Sequence, residues 1–93
     1  MISFAMRVSV PADVMVQEVA GESVLLNLKS ERYFGLDDVG TTMWRTLTTS
    51  PSIQATYERL LDQFDVHADQ LRSDLNDLVE NLVAHGLVEV AAD

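Results

Sequence analysis

The stretch Val24-Leu25-Leu26-Asn27-Leu28, followed by Tyr33-Phe34-Gly35-Leu36-Asp37-Asp38-Val39-Gly40-Thr41-Thr42-Met43-Trp44, decides the fold. It reads as two strands of a hairpin, the second running through one short corner into a helix. Lys29-Ser30-Glu31 is the polar turn between them, and Arg32 to Leu36 make the second strand. Val24, Leu26 and Leu28 share one face of the first strand, with Leu25 and Asn27 opposite. After Leu36 the alternation gives way to a spacing of three and four. Asp37 is a good N-cap, and Asp38 adds negative charge at the positive end of the helix dipole. This order sets a short strand at the rim of a small sheet, beside helices. Such an edge can pair with an extended chain from outside, which points to binding and away from catalysis.

Upstream, Val14 to Val19 alternates, with Val14 and Val16 on one side and Met15 and Val19 on the other. Ala20-Gly21-Glu22 is a turn in which glycine supplies positive φ. The expected sheet is therefore a three-stranded antiparallel meander, and Pro11 blocks its backward extension. Downstream, Val39, Met43 and Leu47 line one face of the first helix with Trp44 beside them, and Thr48-Thr49-Ser50-Pro51 ends it. Ser52 caps a second helix with the stripe Ile53, Tyr57, Leu60, Leu61 and Phe64. Asp65-Val66-His67 leads to the third and longest helix, striped by Leu71, Leu75, Leu78, Val79 and Leu82. Gly86 reads as its left-handed C′ residue, with Leu87 folding back on the last turn and His85 suited to the C-terminus. Leu87-Val88-Glu89-Val90 either adds a short strand or lies against the core. The fold class is α+β, a three-stranded antiparallel sheet followed by three helices, with residues 1–93 as a single domain.

Composition narrows the function. The chain is 47% apolar and 23% charged, which suits a packed domain and not a disordered one. It has no cysteine, so disulfides, thiolate metal sites and a cysteine nucleophile are excluded. No apolar run approaches the roughly 18 residues of a membrane span. Met1-Ile2-Ser3-Phe4-Ala5-Met6-Arg7 lacks the pattern of a signal peptide, so a cytoplasmic location without membrane association is expected. The formal charge is −9, with −2 on residues 1–46 and −7 on residues 47–93. Such a surface repels phosphate backbones, which argues against a nucleic-acid partner, and attracts basic peptides or proteins.

Catalytic patterns are missing. His67 and His85 stand eighteen positions apart with no partner at metal-ligand spacing, so no metal or other cofactor is expected. The four glycines at 21, 35, 40 and 86 form no phosphate loop, and no serine sits in a nucleophile elbow. The chain reads as a binding protein and not as an enzyme. The expected site is the edge strand and its neighbouring groove. Arg32, Tyr33, Phe34 and Gly35 lie on the strand, where an external peptide could add through main-chain hydrogen bonds. Leu75, Leu78, Val79 and Leu82 of the third helix are the expected inner wall. Asp74, Asp77 and Asn81 are candidates for an outer rim that meets Lys or Arg. Gly35 weakens the strand unless another backbone comes close, and Gly40 suggests close packing of helix on strand.

Read in order, these residues resemble a family. The segments Val24–Leu28, Tyr33–Gly40 with Trp44, Leu60–Val66, and Ala68–Leu75 with Leu78, Leu82 and His85-Gly86-Leu87 are similar to the PqqD-like domain, also called the RiPP recognition element. The likeness spans roughly two thirds of the chain. It implies a winged-helix-like fold that binds the leader segment of a ribosomally made precursor peptide. The leader would add to the third strand of the meander and pack against the third helix. The bound precursor would then pass to a modifying enzyme. The resemblance further implies a separate adaptor, with Phe34-Gly35-Leu36 and the N-terminal hairpin favouring the lasso-peptide kind over the pyrroloquinoline quinone kind. Its enzyme partner would then be a leader peptidase rather than a radical SAM enzyme. His67 departs from the family's capping Asp or Ser, and Asp37 stands where Asn is frequent.

Two other readings compete. An acidic protein-interaction or assembly domain would bury its helical face in a partner or a homodimer, so the chain is expected as a monomer or weak homodimer. A winged-helix DNA-binding regulator needs a basic recognition helix. The third helix instead carries Asp69, Asp74, Asp77 and Glu80 against Arg72 alone.

Overall fold

A computed structural model describes residues 2–92. Eight elements follow one another: β1 (Arg7–Ser9), β2 (Val14–Val19), β3 (Glu22–Asn27), β4 (Arg32–Leu36), α1 (Asp38–Thr49), α2 (Ile53–Gln63), α3 (Ala68–Ala84) and β5 (Glu89–Ala91). The expected meander is β2–β3–β4, antiparallel, with β2 and β4 as its edges. Ala20 and Gly21 both take positive φ, +54° and +84°, which makes the β2–β3 loop a two-residue turn closed by Val19 and Glu22.

The first residues add a second, two-stranded sheet. β1 pairs with β5 antiparallel, Val8 opposite Val90, and ties the two ends of the chain together. The expectation of a short strand or core packing after Gly86 is met on both counts. Leu87 and Val88 are buried and the next three residues form β5. Pro11 lies in the link between β1 and β2.

Local chemistry sets the helix ends. Asp37 accepts a hydrogen bond from the Gly40 N–H at 2.7 Å, and Ser52 accepts from the Ala55 N–H at 3.0 Å. His67 makes no side-chain cap bond, as its departure from Asp or Ser implied. At the far end of α3, Gly86 has φ +69°, and the N–H groups of Gly86 and Leu87 donate to the carbonyls of Val83 and Leu82. These are the paired bonds of a Schellman motif, with Leu87 turned fully inward.

The core lies between the inner face of the meander and the three helices. Leu25, Leu47, Ile53, Leu60, Leu75, Val79, Leu82 and Leu87 are all at most 1% exposed. Full burial of such a side chain contributes about 1.5–3 kcal/mol. Gly40 permits the tight approach that was expected of it: a Cβ there would stand 3.1 Å from Leu36 Cδ2. Above this contact Ser23 and Thr41 share a buried hydroxyl hydrogen bond of 2.7 Å.

One packing expectation changes, and the structure settles the orientation of β3. Val39 is 47% exposed and stands outside the core, because the buried side of α1 centres on Met43, Trp44 and Leu47 with Thr41 and Thr46. In β3 the inward face is the one with Ser23, Leu25 and Asn27, while Val24, Leu26 and Leu28 point away from the helices.

Candidate functional site

β4 pairs with β3 on one side only, Phe34 opposite Leu25 and Tyr33 opposite Leu26. Its other side presents unpaired main-chain groups to an incoming strand. Alternation turns Phe34 towards the helices, where it is half-buried, and leaves Tyr33 on the outer face at 73% exposure. Arg32 begins the strand and is exposed. Gly35 is exposed as well, and no atom lies within 4 Å of where its Cβ would be. A side chain at this position would thus meet open space on the outer face, while the Gly35 backbone pairs with Val24 of β3.

The groove beside β4 is walled by α3. That helix packs closely on α2 and only sparsely on β4. At 100° per residue, Asp74, Leu78, Asn81 and His85 fall in one stripe on the flank towards β4, with Asp77 at its outer edge. The link between the elements is aromatic: the rings of Phe34 and His85 are 5.2 Å apart, tilted by 59°. Beneath them Asn27 Nδ2 donates to the Gly86 carbonyl at 2.7 Å, and Asn27 Oδ1 accepts from the Lys29 and Ser30 N–H groups. One asparagine thus joins the β3–β4 turn to the end of α3. The stripe from Asp74 to His85 runs about 16 Å at roughly 1.5 Å per residue. The five residues of β4 cover about the same length at roughly 3.3 Å each.

The expected site residues therefore separate. Phe34 and Leu78 are half-buried, both packed against the core, while Asp74, Asp77 and Asn81 are exposed on the flank of α3 towards β4. Leu75, Val79 and Leu82 do not form an inner wall with accessible surface; each is 0% exposed. They point into the layer shared with α1 and α2, so they support the groove from below. His85 completes the wall and was read from sequence only as a helix-end residue. Its ring Nδ1 lies 2.8 Å from the Asn81 carbonyl, and that contact fixes its position beside Phe34. Acid dominates the rim. Gln70 Nε2 donates to Asp74 Oδ1 at 2.8 Å.

No group of three or more His, Cys, Asp or Glu suited to a metal ion occurs among the described residues. No described helix is long and apolar enough to cross a membrane.

This arrangement has solved counterparts. The structure of TbiB1 in complex with the TbiA(β) leader peptide is similar with a TM-score of 0.80 at 28% identity, over 90% of this chain and 98% of that one. A lasso peptide synthetase B1 complexed with the leader peptide gives a TM-score of 0.79, over 89% of this chain and 98% of that one. Its identity is 20%, so that likeness is one of fold. Comparison with curated proteins gives no match. The family model of the coenzyme PQQ synthesis protein D (PqqD) matches residues 22–88, from the first residue of β3 to the segment just after the α3 cap. Because that span contains the whole groove, β4 and α3 together, the chain belongs to the PqqD family.

Proposed function

We propose that this chain binds the leader segment of a ribosomally synthesised precursor peptide and presents it to a processing enzyme. The leader adds as a strand along β4, and alternate side chains enter the groove between Phe34, Leu78 and His85. Basic leader residues meet Asp74 and Asp77 at the rim, consistent with the −9 charge of the chain. The chain acts by binding and carries no catalytic step.

The observation that carries this reading is the likeness, over nearly the full length of both chains, to a protein solved with its leader peptide. The open β4 edge and the half-buried wall beside it supply the physical means. The lasso-peptide setting is favoured over the quinone one on the sequence Phe34-Gly35-Leu36 and the N-terminal hairpin. A leader peptidase is then the expected enzyme.

The test is fluorescence polarisation with a labelled leader from the precursor gene beside this one. A scrambled leader and a DNA duplex are the controls. Saturable binding at micromolar affinity or tighter, lost on scrambling, is the expected result. A leader N-methylated at alternate main-chain nitrogens should bind at least tenfold more weakly in one of the two phases of alternation. Equal affinity in both phases would remove strand addition, and no binding by the folded protein would remove the leader reading.

A further inference from the structure

Basic groups are scarce in this chain, and half of them are already engaged. Of the six Lys and Arg residues, Arg45 pairs with Glu18, Arg59 donates to the Ser50 hydroxyl, and Arg72 lies over the rings of Phe4 and Tyr57. The side chains of Arg7, Lys29 and Arg32 make no hydrogen bond or ion pair among the described residues. Arg7 belongs to β1. The other two stand together where β4 begins, Lys29 in the turn and Arg32 as the first residue of the strand.

Their position relative to the groove is fixed. Arg32 precedes Phe34 by two residues, so alternation puts it on the same side of the strand as that ring. In the register it stands opposite Asn27, whose Nδ2 donates to the Gly86 carbonyl. The first row of β4 is therefore tied to the end of α3. The same asparagine accepts the Lys29 and Ser30 N–H groups on Oδ1 and the Glu31 N–H on its carbonyl, which holds the turn in place. The acids of α3 lie well away from this row. Asp77 and Asp74 come eight and eleven residues before His85, about 12 and 16 Å along the helix at roughly 1.5 Å per residue. Leu78 and Asn81, between them and His85 on that flank, are uncharged.

We infer that the β4 site reads a charge pattern in its peptide, taking an acidic side chain at the Arg32 end and a basic one at the Asp74–Asp77 end. This inference rests on the leader-binding reading and adds a chemical requirement on the leader. A separation on the order of 16 Å is spanned by about five residues of extended strand at roughly 3.3 Å each. Arginine suits the acidic end, because its planar fork takes a carboxylate in two parallel hydrogen bonds. Lys29 adds a second positive charge beside it. Discrimination comes from repulsion as much as attraction. In a chain of charge −9, a peptide with the reverse order brings its acid against Asp74 and Asp77 and its base against Arg32.

The experiment uses the full chain, each variant checked by circular dichroism, with the labelled leader of the neighbouring precursor gene at low salt. Arg32→Gln should weaken the leader about fivefold, while Arg7→Gln should leave its affinity within about twofold. Leaders with each Asp or Glu changed to its amide, one at a time, then form double-mutant cycles with Arg32→Gln. One acidic position should cost the wild type about fivefold and cost the Arg32→Gln variant nothing further. Changing that leader residue to Lys should restore binding to Arg32→Glu. Unchanged affinity in Arg32→Gln, or no acidic position coupled to Arg32, would overturn the charge pattern and leave leader binding standing. An equal loss in Arg7→Gln would overturn it too, by showing that total charge and not the Arg32 position is read. No leader binding by the folded wild type would remove the leader reading itself, and the pattern with it.

Discussion

The two flanks of α3 receive opposite treatment from the same chain. On one flank the N-terminal segment lies over the helix. The Arg72 guanidinium stands 4.1 Å from the Phe4 ring centroid and 5.5 Å from that of Tyr57, and Asn76 Oδ1 accepts from the Ile2 N–H at 3.1 Å. That segment also serves α2, whose first N–H groups at Ile53 and Gln54 donate to the Met6 and Phe4 carbonyls. On the other flank, Leu78 and His85 face β4 across a groove that the chain crosses mainly at the Phe34–His85 contact. A helix with a buried ridge between two shoulders needs cover on both. Here one shoulder is covered by the chain itself, and the other is left for the proposed peptide.

Several substitutions would break or sharpen this contrast. The largest effect belongs to the ridge below both flanks. Leu75→Ala should cost about 2–5 kcal/mol in urea denaturation, because the side chain is fully buried and its loss leaves a cavity. A loss below about 1 kcal/mol would show that the ridge is not packed as described. On the covered flank, Phe4→Ala should cost about 3 kcal/mol and leave leader affinity unchanged in the fraction that remains folded. A parallel loss of leader binding would make the two flanks one cooperative site.

On the open flank binding responds as well. Leu78→Ala should cost about 1–2 kcal/mol of stability, since the side chain is only half-buried, yet weaken leader binding to the folded protein at least tenfold, about 1.4 kcal/mol. Unfolding with this variant would assign Leu78 to the core instead of the groove. The smallest effect is at the rim. Asp77→Lys should weaken a basic leader about threefold, with the difference shrinking as salt is raised and the melting temperature unchanged. Equal affinity for both proteins at low salt would take Asp77 out of the site.

Legibility followed the range of the interactions. The caps at Asp37, Ser52 and Gly86 could be read directly, since each depends on hydrogen bonds within a few residues. Gly40 was legible too, because a glycine early in an amphipathic helix signals a close neighbour. The common flank of Asp74, Asp77 and Asn81 follows from helical spacing, and all three are exposed there. The burial of Leu75, Val79 and Leu82 was less accessible. Spacing groups them with Leu78, and only the placement of α1, α2 and β4 separates covered positions from open ones. His85 illustrates the same limit, since its local role at the helix end hid a partner, Phe34, fifty-one residues away.

By itself, then, the order of residues determined the elements, their ends and the acidic balance, because φ/ψ preference, capping and periodicity act over one or two turns. Tertiary structure decided which face of β3 turns inward. It chose Ser23, Leu25 and Asn27 because Ser23 finds Thr41, Asn27 finds Gly86, and Leu25 fills the space below the helices. Counting apolar residues favours the opposite face, and no local rule weighs partners eighteen and fifty-nine positions distant. The β1–β5 pair is the same case. Three-residue strands carry too little alternation to be seen, and they form because the packed core brings both chain ends to one place.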